Sequence, residues 1–562
     1  MNKHWLQVFI QQPYFKHLLI ACGLLCLLFH IQSVFLSFYN NDDLNYIRYA
    51  VQLANHGQLP VLTNDHFALR WGTIVLTAVC IKVLGLNLLA TCCGSLIAIG
   101  LTAYCIKWLM ANANLAQYGL ALFLFFFNYS TVFFAHRVLA DVGVAACVAV
   151  AYTIYAKSNN GAKRWSYAVG FAGALLWAVI TKETIVITIP LWMWLLTTDV
   201  LQKQKHHFWW LAVLLCVCGM VVYLGMFAWY TGNPWYRLKV LEQNAYLNEC
   251  SYHLLPLTVT LQRIGYQLWQ AFLLNGNALY FLPACWAFGC RNQIFSSAQT
   301  HEKRLVTAFV VLLLSSNFMS VSLKEYVPLC NDPRHFYFIM PFACIAASYM
   351  LLAYHQHPAR WWMLPVCYAI SGCLCGLSNA GGGTKWLYFG AAVILGLHLV
   401  VQQLGNLKVR RKVKKYYVFA ALLLVLVVPV ADLRKPMPIL YQQHIQIMQL
   451  PVFKQTKPSV VYTGNQITAD ISLFASHYQL TNWQFKSVDT AQIPAVLKAD
   501  TNYWVLLPLY GHLQEAQQSF SSAAQCATLG IQPVWQTDNW LLGTLTNPIA
   551  LHTLKKFYSI HK

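Results

Sequence analysis

The chain has 562 residues, of which 58% are hydrophobic and 10% are charged. Soluble domains carry about 25% charged residues, so this composition excludes an ordinary soluble protein and predicts a membrane protein. The formal net charge of +21 does not indicate nucleic-acid binding, because the basic residues lie in short loops between apolar stretches rather than on one candidate domain.

Apolar stretches long enough to cross a bilayer as helices follow one another along most of the chain. The stretch 71–86 is short and contains Lys82, and it is predicted to be an interfacial helix in the first outer loop. Thirteen other stretches are predicted to span the membrane: 17–39, 88–108, 116–135, 141–156, 165–181, 185–200, 208–230, 268–290, 304–322, 335–354, 360–379, 386–404 and 416–431.

The basic residues determine the predicted orientation of these spans. If 71–86 does not span, the strongly basic loops, including the run KVRRKVKK at 408–415, all face the cytoplasm. The amino terminus is then cytoplasmic, and the odd number of spans carries the end of the chain to the other side. This order suits a bacterial inner (cytoplasmic) membrane, with an endoplasmic reticulum membrane as the alternative.

The composition of the sequence changes at about Asp432, from long apolar stretches to a mixture of apolar and polar residues. The runs VVYTG, YWVLLPLY and WLLGTLT predict strands, and residues 468–478 and 491–499 predict helices. We therefore expect two domains: an all-α polytopic transmembrane domain over 1–431 and a small periplasmic α/β domain over 432–562.

Most of the 18 cysteines fall inside apolar stretches, where a thiol behaves as a small hydrophobic group. Their spacing matches neither a metal site nor a redox motif. Cys250 and Cys330 lie in predicted outer loops, where a disulfide and two free thiols are the alternatives.

Charged residues border the spans on the predicted outer face. A charge in or beside a span costs about 2.5 to 3.5 kcal/mol on insertion scales, so such residues usually face a cavity and serve a function. Carboxylates can act as bases, and cations can neutralise a departing phosphate, a combination that suits glycosyl transfer from a lipid-linked phosphate. Composition alone does not separate this from glycoside hydrolysis. The outer loops present the following charged or ionisable residues, several of which sit at helix ends: Asp42, Asp43, Asp65, His66, Arg70, Arg137, Asp141, Lys182, Glu183, Arg237, Glu249, Asp332 and Arg334.

The segment NNDDLNYIRYAVQLANHGQLP resembles the first outer loop of GT-C superfamily glycosyltransferases. Asp42 matches the first acid of that loop, and Asp43 stands where the family often has Glu. The following FALRWGTIVLTAVCIKVLGL resembles the family's interfacial helix. The resemblance continues with HRVLAD (Arg137 and Asp141), TKETIVITIPLW (Lys182) and NDPRHFYFIMP (Arg334).

Within that superfamily the pattern most resembles the bacterial protein-mannosyltransferase and aminoarabinose-transferase branch. The resemblance implies an inverting transfer from a polyprenyl-phosphate sugar to a lipid, glycan or protein acceptor, with no cofactor and no obligatory metal. Partners would be membrane lipids, the donor and the acceptor, but not nucleic acid. The implied catalytic residues are Asp42, Asp141 and Asp43; the implied donor-phosphate ligands are Lys182, Arg334, Arg70 and Arg137; the implied pocket residues are Tyr46, His66 and Glu183.

Structural roles are the alternatives for these residues. Asp42 is also placed to form a turn, Asp141 to cap a helix, and Arg334 to anchor the chain at the interface. Lys182 and Glu183 are also compatible with a snorkelling pair. The rival functions are a lipid-linked polysaccharide polymerase or ligase, a secondary transporter, and an assembly protein without enzymatic activity.

Overall fold

The structure is a computed structural model. The residues that it describes are 13–34, 41–59, 65–158, 164–245, 251–322, 325–378, 383–404, 420–427, 440–455, 457–464, 466–476, 482–488, 498, 500–508, 531–536, 540–545 and 548–559. Its contacts divide the chain into two compact units. The first unit comprises Met1–Val34 and Tyr49–Lys435, and the second comprises Phe35–Arg48 and Pro436–Lys562.

The regular secondary structure in the described residues of the first unit is helical. Its α-helices are α1 (Pro13–Val34), the second half of α2 (Asn41–His56), α3 (Trp71–Leu84), α4 (Leu88–Leu109), α5 (Leu115–Phe127), α6 (Tyr129–Ala135), α7 (Ala140–Lys157), α8 (Arg164–Thr181), α9 (Ile189–Leu201), α10 (His206–Thr231), α11 (Tyr236–Ala245), α12 (Leu257–Gln262), α13 (Leu268–Leu274), α14 (Ala278–Gly289), α15 (Arg291–Ile294), α16 (Thr300–Phe318), α17 (Met340–Gln356), α18 (Met363–Leu377) and α19 (Thr384–Leu404). Residues 420–427 are also helical.

Short 3-10 helices introduce several of these elements, at His66–Leu69, Glu183–Thr188, Tyr252–Leu254, Pro333–Ile339 and Pro358–Trp361. Two of them lead directly into long apolar helices, so that Glu183–Leu201 and Pro333–Gln356 each form one continuous apolar segment. The polar residues at the starts of these apolar segments therefore lie where the backbone is not yet α-helical.

The chain is an integral membrane protein. Among its described residues, seven helices are long and apolar enough to cross a membrane, or eight if α5 and α6, which are bent by 57° at Asn128, form one span. The predicted number of thirteen spans is not confirmed, because several predicted spans are shorter or interrupted helices. Helix α3 is one of the shorter apolar helices, and its predicted position at the membrane surface stays a prediction.

Small residues bring three helices together at the end of α8. A Cβ on Gly72 in α3 would collide with Thr181, and a Cβ on Gly143 in α7 would lie 3.1 Å from the Thr181 methyl group. The absence of side chains at these glycines lets α3 and α7 approach α8 closely. This packing fixes the position of the chain directly before Lys182.

The second unit contains a five-stranded sheet in its described residues, with strand order β2-β1-β3-β5-β4. Strands β1, β2 and β3 are parallel, whereas β5 pairs antiparallel with both β3 and β4. The strands are β1 (Ser459–Thr463), β2 (Trp483–Ser487), β3 (Asn502–Pro508), β4 (Ile531–Gln536) and β5 (Trp540–Leu545), and the helices are the first half of α2, α20 (Leu440–Met448), α21 (Gln466–Ala475) and α22 (Pro548–Ser559). The predicted small C-terminal α/β fold is confirmed.

Both faces of the sheet are covered by helices. One face packs Val461, Trp504 and Leu542 against residues of α20 and α21. The other packs Val505 and Leu541, with their neighbours, against α22. Because successive strand residues point to opposite faces, strands buried on both sides read as continuous apolar runs such as YWVLLP.

Several sequence predictions fall partly or wholly outside the described residues, among them the helix 491–499, the span 416–431, the basic run 408–415, Glu249 and the state of Cys250. Cys330 is disulfide-bonded. The domain boundary predicted between residues 431 and 432 and the orientation of the chain stay predictions.

Candidate functional site

One extended residue, Lys182, separates α8 from the 3-10 helix that starts at Glu183. Lys182 has φ −160° and ψ 139°, an extended conformation between two helical segments. Extended backbone sends successive side chains to different sides. Lys182 and Glu183 therefore enter two different clusters of charged side chains.

The first cluster joins Lys182 to two residues that are distant in sequence. The Lys182 ammonium donates a hydrogen bond to Asp141 Oδ1 over 2.7 Å, and it lies 3.1 Å from His335 Nδ1. His335 Nδ1 also lies 3.3 Å from the same carboxylate oxygen. Lys182 and Asp141 are both buried. Burying these charges is tolerable because each one faces the other across a short distance.

Arg334 adds a further cation beside this cluster. Its Nε lies 2.9 Å from Asp332 Oδ2, and its charge acts on both Asp141 and Lys182. The carboxylate of Asp332 also caps the 3-10 helix by accepting from the backbone N–H of Arg334 over 3.0 Å. The Asp–Pro–Arg sequence thus holds the guanidinium at the start of an apolar helix.

The second cluster is centred on Glu183. Arg70 Nε donates to Glu183 Oε2 over 3.2 Å, and Arg70 Nη2 donates to the other carboxylate oxygen. Arg237 Nη2 lies 3.6 Å from Glu183 Oε2, and Arg237 Nη1 donates to the Val179 carbonyl and the Tyr223 hydroxyl. One carboxylate is therefore shared by two arginines from different parts of the chain.

His66 lies in the short 3-10 helix that leads to Arg70. Asp65 caps this helix by accepting from the Phe67 N–H over 2.9 Å, and Tyr49 donates its hydroxyl to the same carboxylate over 2.7 Å. His66 packs on Phe67, with 4.1 Å between ring centroids, and Arg70 lies over the same phenyl ring. His66 is therefore a neighbour of the Arg70 side chain through Phe67.

Arg137 occupies the turn before α7, which carries Asp141. Its carbonyl accepts from Ser95 Oγ over 2.6 Å, and its guanidinium lies 5.2 Å from the centre of the Phe133 ring. These contacts tie the turn to α4 and α6. Its predicted role as a phosphate ligand stays a prediction.

Asp42, Asp43 and Tyr46 lie in the part of α2 that belongs to the second unit. Both acids are in the first turn of that helix, where a negative charge is favoured. Asp43 and Tyr46 are buried, and Asp42 is partly exposed. Their predicted convergence with the clusters of the first unit stays a prediction.

The structure thus brings together the predicted residues Asp141 and Lys182, places Arg334 within their electrostatic range, and pairs Arg70 with Glu183. Sequence reasoning named Arg237 among the charged residues of the outer face but gave it no role, and it did not assign His335 to the site. His335 had a usable signal, because an ionisable residue at the start of an apolar helix usually serves a function. Within the described residues, no group of three or more His, Cys, Asp or Glu side chains could hold a metal ion.

The helical bundle, the polar clusters at its helix starts and the C-terminal sheet define a polytopic membrane protein with a small C-terminal α/β unit. Two crystal structures of ArnT from Cupriavidus metallidurans match it over nearly the whole chain. The structure bound to undecaprenyl phosphate has a TM-score of 0.57 at 14% identity, covering 96% of this chain and 99% of ArnT. The apo structure has a TM-score of 0.53 at 14% identity, covering 94% and 97%.

The chain therefore has the fold of ArnT, an aminoarabinose transferase, and the GT-C resemblance is confirmed for the fold. No protein-family model matches the sequence, and no curated protein matches it significantly.

Proposed function

We propose that the protein is an integral membrane glycosyltransferase that moves a sugar from a polyprenyl-phosphate donor to an acceptor on the periplasmic face, with inversion. The observation that carries this proposal is the set of buried, interlinked cations around Lys182 and Glu183. Cations held in a site of low dielectric stabilise a phosphate leaving group far more strongly than they would in water.

Lys182 is the central phosphate ligand in this proposal. An ammonium has three N–H donors, and the described residues supply two partners for it, Asp141 and His335. A third donor is therefore available to a phosphate oxygen. Asp141 acts as a positioning residue, because its carboxylate holds the ammonium in place.

The charge balance of the two clusters supports an anionic ligand. Their cations are Arg70, Lys182, Arg237 and Arg334, and their carboxylates are Asp141, Glu183 and Asp332. Four cations against three carboxylates leave one positive charge. A sugar phosphodiester of charge minus one matches this excess.

Asp42 is the proposed catalytic base. It is partly exposed at the first turn of a helix, so its carboxylate can accept a proton from the acceptor hydroxyl or amine. The phosphate leaves as an anion without needing an acid. The reaction thus requires one base and a cationic clamp rather than the two carboxyls of a glycoside hydrolase.

The disulfide at Cys330 supports the proposed side of the membrane. Disulfides persist in oxidising compartments such as the bacterial periplasm, and Cys330 lies just before Asp332 and Arg334 in the chain. The undecaprenyl phosphate in the ArnT crystal structure supports the lipid class of the donor, because the two chains share a fold.

The test is transfer by the purified full-length protein, reconstituted with undecaprenyl-phosphate-linked aminoarabinose or mannose and offered lipid A, peptide or glycan acceptors. Asp42→Asn should lower kcat by about 10² to 10⁴-fold, the usual contribution of a general base. Lys182→Met should weaken donor use, whereas Lys239→Met should not, because Lys239 is an exposed lysine outside both clusters.

Two results would count against the proposal. Wild-type activity in Asp42→Asn would leave this acid with a turn or capping role. Equal donor use by Lys182→Met and Lys239→Met would remove the basis for a phosphate site at Lys182.

A further inference from the structure

A groove of about 740 Å³ opens between helices of the first unit, and the described residues that line it belong to neither charged cluster. Its wall along α5 runs from Asn114 to Leu124. Ten residues of α-helix rise about 15 Å, which is half of the roughly 30 Å hydrocarbon thickness of a bilayer. The groove is therefore about as deep as one leaflet.

The lining of the groove is polar at one end and apolar along the rest. Asn114, which caps the start of α5, and Gln356, the last residue of α17, line the polar end together with His355. Leucine, valine and phenylalanine side chains line most of the remainder, including Phe15 and Leu19 of α1. This distribution matches an amphiphile with its head at the helix ends.

Basic residues cluster at the same end of the helix bundle. Lys16 lies between the groove residues Phe15 and Leu19, and its ammonium lies 5.0 Å from the centre of the Tyr118 ring on α5. The Tyr118 hydroxyl donates to the Lys16 carbonyl over 3.2 Å, which ties the two groove walls together.

Two further lysines extend this cluster. Lys107 contacts His17 and repels Lys16, and Lys157 lies 3.1 Å from the centre of the Trp108 ring. Within the part of the chain that the structure describes, no carboxylate forms an ion pair with any of these three lysines. The positive charge of these three lysines would attract and stabilise a bound anion.

We propose that this groove binds an anionic phospholipid from the leaflet in which α1 begins. One acyl chain lies along α5 among the apolar side chains, and the phosphate lies at the helix ends near Lys16 and Lys107. A single occupant then satisfies both the apolar groove and the basic cluster. The site is separate from the proposed catalytic clusters and does not depend on the proposed transferase activity.

Gly119 allows the groove to be filled without disturbing its walls. It lines the groove, and a Cβ at this position would meet nothing within 4 Å. Gly119→Phe therefore places a ring in the space of the acyl chain. Gly173→Phe is the matched control, because Gly173 also lies in a helix with open space around its Cβ but does not line the groove.

The experiment is native mass spectrometry of the full-length protein released from nanodiscs that contain equal amounts of phosphatidylglycerol and phosphatidylcholine. The wild type and Gly173→Phe should retain phosphatidylglycerol, and Gly119→Phe should lose it. Lys16→Gln and Lys107→Gln should each reduce the preference for phosphatidylglycerol about fivefold, whereas Lys203→Gln, a change at an exposed lysine, should not.

Three results would overturn the proposal. Gly119→Phe could retain as much lipid as Gly173→Phe, or the wild type could bind both phospholipids equally. The third is displacement of phosphatidylglycerol by undecaprenyl phosphate at equal concentration, which would identify the groove as a site for the donor's tail. Lys16→Gln keeps the backbone carbonyl that accepts from the Tyr118 hydroxyl, and neither lysine variant fills the groove, so both variants test the phosphate position even if Gly119→Phe does not fold.

Discussion

Lys182 and Asp141 form a buried ion pair across 41 residues of sequence, with 2.7 Å between the ammonium nitrogen and the carboxylate oxygen. The pair connects the end of α8 to the first turn of α7. The Asp141 carboxylate therefore determines the orientation of the Lys182 ammonium, which is the most deeply buried cation of the site.

Removing one member of this pair should destabilise the protein strongly. Lys182→Met leaves the Asp141 charge buried, and breaking a buried pair in this way typically costs about 3 to 5 kcal/mol. The double variant Asp141→Asn/Lys182→Met should be less destabilised than the sum of the single variants, because neither charge then remains. Unfolding in mixed micelles measures these free energies, with Lys239→Met as the control. Additive effects of the two substitutions would show that the pair is not coupled.

Glu183 should matter more to stability than either of its arginine partners. Glu183→Gln leaves Arg70 and Arg237 close together with no carboxylate between them, whereas Arg237→Met leaves the Arg70–Glu183 pair intact. We expect Glu183→Gln to lower the unfolding free energy more than Arg237→Met, by about 1 to 3 kcal/mol. The same micelle unfolding experiment checks the order, and the reverse order would contradict the bridging role of Glu183.

The sequence predicted the class of fold and the start of α3 because these depend on local patterns. The helix predicted over 71–86 is observed as Trp71–Leu84, and the strands VVYTG, YWVLLPLY and WLLGTLT correspond to β1, β3 and β5. Strands β2 and β4 were not predicted, and Pro533 within β4 argues against a strand. Proline is tolerated there since β4 lies at the edge of the sheet and is bulged between Pro533 and Trp535.

The sequence alone could not predict which residues the charged side chains pair with. Lys182 and Glu183 are adjacent, and a pair between them was one alternative, but each instead pairs with a residue 41 or 113 positions away. Local patterns give no information on such distances. His335 was passed over in favour of its neighbour Arg334, although only the fold decides which of two adjacent side chains faces a distant carboxylate.

The contact between α3 and α8 should tolerate no side chain at position 72. A Cβ in Gly72→Ala would lie 2.9 Å from the Thr181 Cα, so the backbone of α8 would have to move. Overpacking of this kind costs about 1 to 3 kcal/mol, and it would displace the neighbouring Lys182. Gly173→Ala in the same helix as Thr181 is the control, since its Cβ meets nothing and alanine favours a helix. Thermal unfolding in detergent should separate the two variants, and equal melting temperatures would contradict the close approach.

His444 should make the C-terminal sheet sensitive to acid. The imidazole is buried, its Nδ1 lies 3.0 Å from Ser472 Oγ, and its ring packs 4.8 Å from that of Trp540. The Ser472 hydroxyl also donates to the Thr468 carbonyl over 2.8 Å, so it is set to accept from a neutral histidine. Burial lowers the pKa of His444 from 6.5 to about 3.

Because the pKa of His444 is lower in the folded state, the unfolded state binds the proton more tightly. Lowering the pH therefore favours unfolding. The stability contributed by the neutral imidazole is complete above pH 6.5 and is lost progressively between about pH 6.5 and 3. The loss of unfolding free energy reaches roughly 2 kcal/mol at pH 5. Hydrogen exchange of the β1, β3 and β5 amides in the full-length protein, corrected for intrinsic exchange rates, measures this loss. His444→Leu should be less stable at pH 7.5 but should lose less protection between pH 7.5 and 5. If wild type and His444→Leu lose protection in parallel, another group is responsible for the acid sensitivity.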